Sequence, residues 1–209
     1  MVTQSKFELM MSSTLLDAGA RLASDSHFKT FSSHLQYQLI ISTVCKLQES
    51  GFYWGAISGK EANSLLSEEP VGTFLVRDSS DQRHFFALSI KTASGPKNLR
   101  IQFDGDTFFL QSDPKGSSMA PHFNCVLKLV HHYMPAKVAG GKGGTCGIYF
   151  IHTGGEKIPL ELLRPLSSSM STLQHLCRKA VNGHLDMSDK RDLLPRPVKE
   201  FLEKYDSSI

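Results

Sequence analysis

The sequence predicts an α+β domain followed by a small all-helical module. Three observations lead there. Apolar residues recur at helical spacing over Tyr37–Leu47, and three strand-like runs follow one another between Gly72 and Phe103 with only turns between them. The helical period then returns at Phe123 and again at Leu173.

Residues 1–33 are rich in Ser and Thr with scattered apolar residues, and read as a flexible segment. Tyr37, Ile40, Ile41, Val44 and Leu47 then form one helical face, with Gly51 as a stop. Ser58 with Glu61 three residues on is a capping box for a second helix, whose stripe is Ala62, Leu65 and Leu66. Gly72–Asp78 reads as a strand that is apolar on both faces until Arg77, so it belongs in the middle of a sheet. His84–Lys91 places Phe86, Leu88 and Ile90 on one face. Lys97–Phe103 places Leu99, Ile101 and Phe103 on one face and Arg100 on the other. Gly95-Pro96 and Asp104-Gly105 are the turn signals around that strand, and such short connections make consecutive strands antiparallel. Phe123–Tyr133 predicts a third helix with Asn124 as its cap. A Gly-rich linker covers 136–147, and Ile148–Ile151 with Lys157–Leu160 suggests a last small hairpin. The C-terminal module opens at Ser171-Thr172-Leu173-Gln174 with another capping box, and Gly183 can stop that helix. Pro197 then sits in the first turn of a final helix bearing Val198, Phe201, Leu202 and Tyr205.

Composition sets the outer limits. The chain has 209 residues, 40% hydrophobic and 21% charged, which suits a packed core. A net charge of +3 does not argue for nucleic acid, so any basic site is local. Cys45, Cys125, Cys146 and Cys177 form no close pair, which speaks against a zinc site or a disulfide framework. His131-His132 lack further ligands at metal spacing, and neither a metal nor a cofactor is expected. No stretch reaches the roughly 18 apolar residues of a membrane span, and the start lacks the apolar run of a signal peptide, so a soluble cytoplasmic protein is expected. The glycines of GGKGGT lack the spacing and preceding strand of a nucleotide-binding loop.

One residue stands out. Arg77 shares a strand face with Leu75, and an unpaired charge there is costly. Ser79 and Ser80 follow at a turn, offering hydroxyls and backbone N–H groups that can cradle an anion. Arg77 supplies a fork of donors matching phosphate oxygens, and Arg100 could reach the same anion. On this local pattern, an ion pair of Arg77 with Asp78 or a glutamate is an equal alternative.

The order of elements breaks that tie. Trp54-Gly55-Ala56-Ile57-Ser58-Gly59-Lys60-Glu61-Ala62, then Leu65-Leu66, then GTFLVRDSS at 72–80, resembles the signature of Src-homology 2 (SH2) domains over about residues 52–163. The resemblance implies phosphotyrosine recognition, with Arg77 at the pocket floor, Ser79 and Ser80 as loop donors and Arg100 as a second cation. Residues after the phosphotyrosine would cross the third strand into an apolar pocket.

Leu173, Leu176, Cys177 and Val181 form one helical stripe, which simple packing on the preceding domain would also produce. Residues 172–181 (TLQHLCRKAV) resemble the elongin-binding helix of a SOCS box, however, and Leu194-Pro195-Arg196-Pro197 resembles its cullin-binding motif. An SH2 domain followed by a SOCS box (165–209) resembles the suppressors of cytokine signalling. That resemblance implies several roles. Leu173 and Cys177 would enter a pocket of elongin C of the elongin B/C pair, with Leu176 and Val181 on the same face. Leu194, Pro195 and Pro197 would select cullin-5. The helix at 34–51 would be an extended SH2 subdomain that buttresses the phosphate loop. Phe28, Lys29, Thr30, Phe31 and Ser32, within 27–33, would form a region that inhibits a Janus kinase as a pseudosubstrate, with Phe31 as anchor. The expected whole is a non-enzymatic negative regulator of cytokine receptor JAK-STAT signalling that docks on receptor phosphotyrosines and recruits a ubiquitin ligase. The alternative is an SH2 adaptor without ligase recruitment. Cys177 lies on an apolar stripe, which argues against a ligase thioester.

Overall fold

A computed structural model of the chain describes residues 31–110, 120–135, 150–153, 156–185 and 191–209. Phe28, Lys29, Thr30, Cys146, the Gly-rich linker and Gly154-Gly155 lie outside the described residues.

Helix α1 spans His34–Ser50. The Ser33 hydroxyl accepts from Gln36 N–H at its start, and Gly51 ends it at φ 80°, a left-handed conformation that glycine adopts without steric cost. Phe31–Ser33 belong to the segment that reads as flexible in the sequence. Here the Ser32 N–H and hydroxyl both donate to Gln36 Oε1, and Phe31 packs on the core. Helix α2 (Gly59–Ser67) carries the expected capping box: Glu61 N–H donates to Ser58 Oγ and Ser58 N–H to Glu61 Oε2. Ala62 and Leu66 are buried, whereas Leu65 is exposed.

Strands β1 (Thr73–Asp78), β2 (Phe86–Thr92) and β3 (Gly95–Phe103) pair antiparallel, with β1 inside the sheet as its two apolar faces require. Two short strands were not legible. β4 (Phe108–Leu110) extends the sheet beyond β3, and β7 (Arg164–Pro165) closes the other side, parallel to β1. The sheet is therefore antiparallel except at that margin. The β2–β3 turn falls at Ala93-Ser94, with Gly95 already paired to Thr92, rather than at Gly95-Pro96. Helix α3 spans Val126–Tyr133 and starts later than the sequence suggests. Phe123 exchanges both backbone hydrogen bonds with Phe108, and Cys125, not Asn124, stands at the helix start. Strands β5 (Phe150–Thr153) and β6 (Glu156–Pro159) form a separate hairpin.

The sheet has two packed faces. Phe74, Val76, Phe86, Leu88, Ile90 and Ile101 bury against Ile40 and Leu47 of α1 and the buried residues of α3. On the opposite face, Leu75 meets Ala62 and Leu66 of α2. Arg77 projects on this second face, two residues along from Leu75.

Helix α4 (Leu173–Leu185), a short 3₁₀ turn (Arg191–Leu193) and helix α5 (Arg196–Glu203) make up the C-terminal module. Thr172 caps α4, accepting from His175 N–H, so the Ser171–Gln174 box is displaced by one residue. Gly183 does not stop α4. The C-terminal tail crosses here, and a Cβ at Gly183 would lie 3.3 Å from Ser208 Cβ. That tail joins the main core. Tyr205 is fully buried in it, and Asp206 lies between Lys46 of α1 and Lys128 of α3, at 2.5 and 3.2 Å.

Candidate functional site: the Arg77 pocket and the outer face of α4

Arg77 is 4% exposed. Its hydrogen-bond partners are all uncharged: Nε donates to Ser89 Oγ (3.1 Å), Nη1 to the Asp78 carbonyl (2.9 Å) and Nη2 to Asn98 Oδ1 (3.1 Å). Arg77 reaches Asp78 through that residue's carbonyl, and the Asp78 carboxylate accepts from the Tyr53 hydroxyl at 2.5 Å. Burial pulls the Arg77 pKa down and neighbouring Asp78 pulls it back up, and an arginine stays charged through such shifts. Among the described residues, three of the guanidinium's five N–H donors are committed to holding it. Two remain, one on each terminal nitrogen, which is the number a bidentate phosphate takes.

The holders form a relay. Ser89 Oγ donates to Asn98 Oδ1 (2.6 Å), and Asn98 Nδ2 donates to Asn63 Oδ1 on α2 (2.8 Å). Gly59, in the first turn of α2, stands so close that an added Cβ would lie 3.2 Å from Arg77 Nη2. Strand register sets the rest. Arg77 pairs with Ala87, and Ala87 with Arg100, so the two arginines share one face with only a methyl group between them. Two strand spacings separate their backbones by about 10 Å.

The predicted loop residues lie beside this row. Ser79 is 8% exposed, its hydroxyl accepts from Asp81 N–H (3.1 Å), and its own N–H donates to the Phe85 carbonyl. Ser80 is exposed. Arg100 has a 60% exposed side chain, and its Nε pairs with Asp81 Oδ2 at 3.2 Å. Phe31 is half-buried, stacked on Phe85 (5.6 Å between centroids) and edge-on to Tyr37 (5.3 Å). Phe31 thus touches the residue that closes the Ser79 loop. Sequence reading missed Ser89, Asn98, Asn63, Gly59 and Asp81. Ser89 and Asn98 depend on cross-strand register, which the sequence signalled only through the polar residues interrupting β2 and β3, whereas Asn63 and Gly59 depend on how α2 sits on the sheet and Asp81 on the fold of the β1–β2 turn.

In α4 the usual amphipathic arrangement is inverted. Leu173 is 77%, Leu176 49% and Val181 40% exposed, and Cys177 is exposed too. The buried residues are polar: His175, Arg178 and Asn182. Arg178 pairs with Glu49 of α1 and lies over the rings of Phe201 and Tyr205. Asn182 donates to the Tyr205 carbonyl at 2.5 Å. Simple packing of the apolar stripe on the domain is therefore not what holds α4. Leu194 and Pro195 precede α5, with Pro197 in its first turn. Among the described residues, no His, Cys, Asp and Glu cluster could hold a metal ion, and no helix is long and apolar enough to cross a membrane.

A buried arginine with spare donors, on a central strand beside a capped helix and a serine-bearing turn, defines the class: residues 52–133 match the family model described as SH2 domain. Comparison over the full length goes further. The chain is 60% identical to Suppressor of cytokine signaling 3 of Gallus gallus, and 54% identical to that of Homo sapiens, with 100% of each chain covered. It is also 45% identical to Suppressor of cytokine signaling 1 of Mus musculus over 88% of this chain and 74% of that protein. The chain belongs to the suppressor of cytokine signaling family.

Proposed function

We propose that this protein is a non-enzymatic negative regulator of cytokine receptor JAK-STAT signalling that docks on receptor phosphotyrosines through the pocket around Arg77. One observation carries the reading: a guanidinium buried among uncharged partners with, among the described residues, two donors left over. Phosphotyrosine brings a charge near −2 on a long rigid ring, which suits a cation at the pocket floor. Ser79 and Ser80 supply loop donors, and Arg100 supplies the second cation. Replacing Arg77 by Ala, or by Lys, is expected to weaken binding of the full chain to phosphotyrosyl peptides by at least ~2 kcal/mol. Calorimetry that finds the same dissociation constant for the variant removes Arg77 from the site.

Two further roles accompany docking. The exposed stripe of Leu173, Leu176, Cys177 and Val181 suits helix-in-groove capture by elongin C of elongin B/C, with Leu194, Pro195 and Pro197 contacting cullin-5. What supports this is the inversion of α4: its apolar side faces solvent while its polar side is buried. The segment Phe28, Lys29, Thr30, Phe31 and Ser32 inhibits a Janus kinase as a pseudosubstrate, and its last residues lead directly into α1. The domain limits that go with these roles are 34–51 for the extension, 52–163 for the SH2 domain and 165–209 for the SOCS box. The protein works in the cytoplasm, where receptor tails and their kinases lie.

A further inference from the structure

We propose that Asp81 is the positioning residue of the phosphate pocket: its carboxylate holds Arg100 in place beside Arg77. The inference rests on the phosphotyrosine reading above and extends it to a residue that itself touches no ligand.

Asp81 sits in the turn between β1 and β2, and its side chain is only 16% exposed although it lies in a surface loop. Its backbone is tied at both ends. The Asp81 N–H donates to Ser79 Oγ (3.1 Å), and the Asp81 carbonyl accepts from His84 N–H (3.1 Å). Its carboxylate gathers the cations around it. Oδ1 accepts from the Arg83 backbone N–H (3.0 Å) and Nε (3.2 Å). Oδ2 accepts from Arg83 Nη2 (3.0 Å), pairs with Arg100 Nε (3.2 Å) and lies 3.5 Å from His84 Nδ1. One residue thereby links a predicted loop donor, Ser79, through its backbone N–H to the predicted second cation, Arg100, through its carboxylate.

The mode of attachment matters. Asp81 takes Arg100 by Nε, and among the described residues the terminal nitrogens of Arg100 make no hydrogen bond or ion pair. Arg77 is likewise held at Nε, by Ser89, with terminal donors to spare. Both guanidiniums of the row are thus anchored at the inner nitrogen. Arg100 needs such an anchor more, because its side chain is 60% exposed and among the described residues it has no other ion pair. A free arginine side chain has many rotamers to lose when it is fixed. Ordering it before the phosphate arrives lowers the cost of binding. Hydrogen bonds from Arg83 hold the Asp81 carboxyl well below the usual carboxylate range, so the anchor stays ionised.

The test is a double-mutant cycle on the full chain, titrated with O-phospho-L-tyrosine and followed by NMR. Asp81→Asn keeps an oxygen for the Arg83 N–H and removes the charge. We expect Asp81→Asn to weaken binding about fivefold, the upper range for one exposed charge pair. Arg100→Ala should weaken it by a similar factor, and the double variant no more than Arg100→Ala alone. Additive losses would mean that Asp81 only shapes the loop, and tighter binding by Asp81→Asn would mean that it competes with phosphate; either result overturns the proposal. If Arg77→Ala and Arg100→Ala both leave the titration unchanged, the pocket reading fails. If both weaken binding and Asp81→Asn does not, only the role of Asp81 fails.

Discussion

Arg77 shows how far a single residue can be read before its neighbours are known. A charge on a strand that is otherwise apolar on both faces must be compensated, and that much follows from the sequence. The form of compensation does not, because Ser89 and Asn98 become partners only through the β1–β2–β3 register. Gly59 belongs to the same group. No sequence rule explains a glycine in the first turn of α2, yet its missing Cβ makes room for Arg77 Nη2. Gly59→Ala should therefore act in two directions. Alanine favours the helix, by up to about 1 kcal/mol in a helix interior, so thermal stability is expected to hold or rise. Crowding of the guanidinium is expected to weaken phosphotyrosyl-peptide binding severalfold. Parallel melting and calorimetry measure both, and unimpaired binding would show that the pocket tolerates the methyl group.

At the scale of elements, legibility followed length. The long periodic helix α1, the capping box of α2 and the apolar strand β1 were all apparent, because many residues repeat one message in each. β4 and β7 are three and two residues long, too short to carry a period, and exist because neighbouring strands offer them backbone partners. The start of α3 moved for the same reason, since Phe123 is held by Phe108. Helix α4 is the instructive case. Its stripe was legible, but which side faces the domain was not, because polar residues were not expected to form the docking side. Arg178, His175 and Asn182 do so by pairing with Glu49, Tyr205 and the tail. Substitutions on the outer face should then spare the fold. Leu173→Asp with Leu176→Asp is expected to leave the melting temperature within about 2 °C, as surface changes usually cost under ~0.5 kcal/mol. Co-expression with elongins B and C should no longer yield a complex on gel filtration. A complex that survives both changes would return α4 to a purely structural role.

For the whole molecule, the two parts share one core. Tyr205, beyond the last helix, is buried with residues of α1 and α3, and its hydroxyl donates to the Ile209 carbonyl. Tyr53 is half-buried with its hydroxyl on Asp78. Burial, the larger cause in each, pushes both phenols above the ordinary tyrosine value; Asp78 adds to the shift at Tyr53. The folded chain therefore keeps two protons that the unfolded chain releases near pH 10. Above that pH the unfolded state binds fewer protons, so stability falls as pH rises. An absorbance titration should find Tyr53 and Tyr205 ionising only as the protein unfolds, with the melting temperature dropping beyond about pH 10. Early ionisation of all five tyrosines of the sequence, with the fold intact, would contradict their burial.

The docked tail has a consequence for how the molecule fails. Asp206 bridges Lys46 and Lys128, and Asn182 grips the tail from α4, so the tail is a common fastening for the domain and the module. A molecule that lets go of it loosens the phosphate-binding core and the seat of the outward helix in one event. Damage to the tail is then expected to impair the Arg77 pocket and the outward face of α4 together rather than one without the other.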